Sequence, residues 1–239
     1  MVKSIVVTRN VRPADDASEL LGVRSYAQFF AGAGWSVAVK DLPAAAAALK
    51  QCVPSVFLVD VASKSTEDER ELVAKYVDTM KEGLRRRNVV LVLAVSPECY
   101  LEASVGEAVA QADYCIVKPA KPFVVRDSLD ALVLSRERNQ VPLLSVLAPP
   151  VDLVQHCVDA YNAERQTELR RFEPGTNYFI DGVTIVSRDV VLFTSSESSL
   201  EFRCWTQDSF SRLWKDVASF QAAALQEGRG FGVVLGTSS

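Results

Sequence analysis

Histidine is almost missing from this sequence: His156 is the single one in 239 residues. Without a second histidine there is no basis for a two-histidine mechanism or a histidine-built zinc site. The five cysteines (Cys52, Cys99, Cys115, Cys157 and Cys204) are scattered, and no two stand at CxxC spacing. That argues against a metal clip, and the expectation is five reduced thiols in a cytoplasmic protein. A basic excess is lacking too, with a net charge of -4 and a pI near 5.2. Direct nucleic-acid binding is therefore not expected, because phosphate contacts need a basic surface. No apolar run approaches the roughly 20 residues of a membrane helix. Met1-Val2-Lys3-Ser4-Ile5 already reads as the approach to a strand, so neither a membrane span nor a secretory signal is expected.

Apolar residues, by contrast, make up 49% of the chain. That is enough for a full core in one large domain or two ordinary ones. The most telling stretch is Ser55-Val56-Phe57-Leu58-Val59-Asp60, a short apolar run that ends on a carboxylate. Such a run reads as a strand buried on both faces, delivering an acid to the mouth of a parallel sheet. In open α/β sheets chemistry sits at the carboxyl ends of the strands.

The first half repeats strand and helix five times. Strands are expected at 4–8, 35–39, 55–60, 89–95 and 113–117, and helices at about 18–30, 44–50, 67–87, 98–111 and 124–136. Ser18 is a fitting N-cap, Gly32 and Gly34 close the first helix, and Leu72, Val73, Tyr76, Val77, Met80 and Leu84 stripe the third. Arg85-Arg86-Arg87 reads as the solvated, dipole-favoured end of that helix. The pattern predicts an α/β domain over 1–138, a five-stranded parallel, doubly wound sheet covered on both faces.

Three strand ends carry polar residues: Asp60, Ser96 and Lys118, the last followed by Pro119. Here the sequence resembles the receiver domain of two-component signalling, over about residues 3–136. In receivers the third strand ends in the phosphoacceptor Asp, the fourth in Ser or Thr, and the fifth in Lys-Pro. The resemblance makes Asp60 the phosphoacceptor candidate, Ser96 and Lys118 its phosphate-sensing partners, and Mg²⁺ the cofactor of an active site. Receivers bind that metal with an acidic pair at the end of the first strand, where this chain has Thr8-Arg9-Asn10. Asp15 and Asp16 lie several residues on and are the candidates to complete a metal site with Asp60. The segment from Asp60 to Ser96 is longer than usual, and the Pro-Gly turn after the Asp is missing. The expectation is a pseudo-receiver that has lost phosphorylation, with Asp60 and Lys118 as a structural ion pair. The alternative is a phosphorylatable, Mg²⁺-dependent switch. The Asp60 strand and the Ala-Asp-Tyr strand also resemble the core of RecA-type ATPases, with Asp60 as the Walker B acid. No Gly-Lys-Ser/Thr follows the first strand, so that resemblance implies a nucleotide binder without hydrolysis.

After a polar linker the second half changes character. A strand is expected at 142–147, a helix at 151–166 with His156 on its surface, then hairpin strands around Asp181-Gly182 and a polar loop at 194–199. A helix at 208–226 carries Phe210, Leu213, Trp214, Val217 and Phe220 on one stripe. The reading is a smaller α+β domain over 142–239 with an antiparallel meander, ending in a frayed tail or edge strand at 228–232. It resembles the phospholipase D-like module of archaeal and bacterial regulators. The His-x-Lys motif of its catalytic members is absent, so no catalytic residue is assigned. Trp214 and Phe220 are the candidates for a dimer interface. The function expected is a non-enzymatic regulatory or scaffold protein acting through a protein partner or a second copy of itself, with no cofactor unless the receiver site binds Mg²⁺.

Overall fold

The structure, a computed structural model, describes residues 3–9, 23–49, 53–63, 65–149, 152–153, 184–186, 190–196, 199–204 and 206–237. The first half runs β1 (Ser4–Arg9), α1 (Val23–Gly32), β2 (Ser36–Asp41), α2 (Leu42–Ala48), β3 (Val56–Asp60), α3 (Glu67–Arg86), β4 (Val90–Val95), α4 (Pro97–Tyr100), α5 (Ala103–Gln111), β5 (Tyr114–Val117) and α6 (Pro122–Glu137). The second contributes β6 (Leu143–Leu147), β7 (Thr184–Val186), β8 (Val190–Ser196), β9 (Ser199–Cys204), α7 (Gln207–Gln226) and β10 (Gly232–Gly236).

The first sheet is all parallel, in the order β2-β1-β3-β4-β5. This is the flavodoxin-like order. Helices α1 and α6 meet on one face, while α3 lies between α2 and α5 on the other. Every residue of β3, β4 and β5 is buried, as a strand covered by helices on both sides requires. α3 starts on a capping box: the Thr66 hydroxyl accepts from the Glu69 N–H, and Glu69 returns to the Thr66 N–H at 2.7 Å.

The helix expected over 98–111 is broken in two. Ser96 and Pro97 start the four-residue α4, Leu101 ends it, and α5 begins after Glu102. The break turns Glu102 toward Arg70 of α3, 2.5 Å away.

The second sheet has the order β10-β6-β9-β8-β7, with antiparallel neighbours throughout. The polar stretch 194–199, expected as a loop, continues the strands: β8 reaches Ser196 and β9 begins at Ser199, with a bulge at Thr194/Ser196. The expected helix at 151–166 is described only at Asp152 and Leu153, and Asp181-Gly182 of the expected hairpin lie outside the described residues. The tail forms the edge strand β10.

The sheets do not have separate cores. One apolar cluster joins residues of both, with α7 packed on β5 and α4, and β10 on α6.

Candidate functional site

Parallel pairing in register brings the three polar strand ends together. Asp60 lies beside Arg9 of β1 and Ala94 of β4, and Val95 lies beside Val117, so Ser96 and Lys118 leave the sheet side by side. Lys118 Nζ lies 2.8 Å from Asp60 Oδ1 and donates a second bond to the Val61 carbonyl at 2.9 Å. Asp60 has no exposed surface, and Lys118 is 8% exposed. A carboxylate this deep is stable as an ion only with a charge-assisted partner, which the ammonium supplies. The Lys118–Pro119 peptide bond is cis.

Ser96 is 6% exposed, and its hydroxyl accepts from the Cys99 N–H at 3.4 Å as the N-cap of α4. Its side chain thus has a structural duty at the same edge. The stretch after Asp60 is fastened from several sides. Ser65 donates its hydroxyl to the Ala62 carbonyl at 2.7 Å, and Arg70 donates to the Ser65 carbonyl at 2.5 Å. Cys99 Sγ lies 3.8 Å from the Ala62 carbonyl and 3.9 Å from that of Ser63.

Asp60 and Lys118 are thus in contact, and Ser96 leaves the neighbouring strand at the same sheet edge. Asp15 and Asp16, the other metal-ligand candidates, lie outside the described residues, as does His156. Among the described residues Asp60 faces the Lys118 ammonium, and the β1 residues at this level are Thr8 and Arg9. Thr8 is fully buried, and its hydroxyl has no hydrogen-bond partner among the described residues. No group of three or more His, Cys, Asp or Glu able to hold a metal occurs among the described residues.

Trp214 does not lie on an open surface. It is 1% exposed, with its ring 5.9 Å from that of Tyr114 on β5. Its side of α7 faces the first sheet, which removes it as a contact for a second copy. Phe220 is half-buried and packed against the same core.

Sequence reasoning missed Arg70, Glu69 and Cys99. Thr66-x-x-Glu69 is a legible capping box. The role of Cys99 as a spacer between the Asp60 loop and α4 carries no sequence signal.

No protein-family model matches the chain. No curated protein matches it. Among solved structures it is similar to an adenylate cyclase from Rhodopirellula baltica, with 14% identity, 58% of this chain and 93% of that one covered, and a TM-score of 0.43. An uncharacterised protein from Neptuniibacter caesariensis is similar at 14% identity, covering 57% and 93%, with a TM-score of 0.43. Among the described residues no helix is long and apolar enough to cross a membrane.

Proposed function

We propose that the chain is a regulatory or scaffold protein without enzymatic activity, whose receiver-like sheet carries a degenerate site and which acts through protein–protein contact. The observation that supports this most is the end of β1, where Thr8 and Arg9 stand level with Asp60 in place of an acidic pair. In an active receiver the Asp must be open to a phosphodonor and share Mg²⁺ with acids of the first strand. Here it is covered, and Thr8-Arg9-Asn10 stands where those acids would be. The second sheet and α7 are read as a non-catalytic interaction module similar to the phospholipase D-like modules of regulators, in keeping with the missing His-x-Lys motif. Its ligand on this reading is a protein partner or a second copy of the chain.

Intact mass after incubation with acetyl phosphate and Mg²⁺ tests the reading, with Asp60→Asn run beside the wild type. The expected result is no added phosphoryl group on either. Phosphoryl mass on the wild type that vanishes in Asp60→Asn would replace the proposal with a phosphorylated switch.

A further inference from the structure

Two neighbouring residues of the short helix α4 reach to different parts of the chain. Cys99 Sγ rests on the carbonyls of Ala62 and Ser63, two and three residues after Asp60. The carbonyl just before them, that of Val61, is held by Lys118 Nζ. Tyr100 donates its hydroxyl to the backbone carbonyl of Lys215 on α7 at 3.0 Å. Lys215 in turn sends its ammonium to the Ala110 carbonyl of α5 at 2.8 Å. A single residue of α7 is thus fastened to the last residue of α4 and to the last turn of α5. The start of α4 belongs to the Asp60 edge through the Ser96 cap, and its end belongs to the second half through Tyr100.

From these contacts we infer that α4 couples the Asp60 edge to the second half of the chain. A change in the Asp60–Lys118 pair shifts residues 61–63, Cys99 transmits the shift to α4, and the Tyr100 bond carries it to α7. A helix of four residues has little internal rigidity of its own, so its position follows the Asp60 loop that Cys99 touches and the α7 surface on which it packs. The coupling is reciprocal: a protein partner that moves α7 alters the Asp60 edge by the same free energy. It rests on the contacts alone and holds whether or not Asp60 accepts phosphate.

Hydrogen exchange of the full chain, followed by mass spectrometry, tests this. Asp60→Asn is expected to speed exchange at 61–63 and also in α7 around Lys215, by roughly twofold or more, the lower end of the coupling within one network. In a Tyr100→Phe background the response at 61–63 persists and the response in α7 is lost. A response confined to 61–63, or an α7 response of the same size in the Tyr100→Phe background, overturns the inference. Should Asp60→Asn fail to fold, Ser96→Ala disturbs the same edge through the α4 cap and is read by the same two outcomes.

Discussion

The indole of Trp214 on α7 lies against the ring of Tyr114 on β5, with centroids 5.9 Å apart and planes tilted by 57°. Both rings are buried, and they join a helix of the second half to an edge strand of the first sheet. Such a pair adds about 0.5–1.5 kcal/mol to the area it buries. Trp214→Ala is expected to cost about 3–5 kcal/mol. Trp214→Phe should cost clearly less, because the indole N–H is buried without a partner among the described residues. Urea unfolding of the whole chain is expected to show one transition. A fragment of residues 1–138, which lacks α7, should unfold at a lower urea concentration than the full chain. Equal midpoints for fragment and full chain would mean two independent cores.

The Asp60–Lys118 pair makes a second test. Removing the ammonium with Lys118→Met leaves a fully buried carboxylate without that partner, at a cost of about 3–5 kcal/mol. Replacing both with apolar residues of similar volume is expected to be milder than either single change. A buried pair is little screened, so the urea midpoints of wild type and Lys118→Met should respond to salt alike. A difference that shrinks in high salt would show that the pair is more open to solvent than described.

The site was legible in sequence because its signal is local. A buried strand that ends on an acid, another on Ser96 and a third on Lys118 can only present those groups at one edge of a parallel sheet, and they stand there. What periodicity does not report is where an apolar stripe goes. Phe210, Trp214 and Val217 read the same whether they face a second copy or their own chain, and the answer lies in Tyr114, a hundred residues away. The break after Tyr100 was equally hidden, since no proline or glycine stands at Leu101 or Glu102 to mark it.

Alkaline pH offers a third measurement. Burial pushes the Cys115 thiol and the Tyr114 hydroxyl well above their ordinary ranges. Burial does the same to the Tyr100 hydroxyl, with the Cys115 and Asp216 charges adding to it. In the unfolded chain these groups ionise near their ordinary values, about 8.5 for Cys and about 10 for Tyr. Folded values above unfolded ones mean that stability is fully present below the unfolded values and is lost as pH rises through the folded ones. The urea midpoint should therefore be level on their account near neutrality and fall from about pH 8.5 upward. Cys115→Ala lowers the midpoint throughout but flattens the first part of that fall. An unchanged slope between about pH 8.5 and 10 in the variant would mean that Cys115 ionises freely in the folded chain.

The last strand tests how the halves are closed. β10 pairs with β6 on one side, and on the other the Leu235 N–H donates to the Ser128 hydroxyl of α6 at 3.2 Å. Ser128, 1% exposed, thus ties α6 to β10. An outward N–H on an edge strand is an invitation to pair with another chain, and here the helix takes it. Gly232 fits this closure: a Cβ there would stand 3.2 Å from the Cβ of Leu147 on β6. Ser128→Ala leaves the buried N–H unmatched and is expected to cost about 1–3 kcal/mol. Leu235→Ala, at a residue 2% exposed, should cost about 2–5 kcal/mol. Deleting residues 231–239 uncovers both β6 and the β10-facing side of α6, so the truncated chain should be less stable than either variant and should self-associate through the freed β6 edge. Sedimentation velocity beside urea unfolding checks both parts, and a monomeric truncation of wild-type stability would show that β10 contributes nothing to the core.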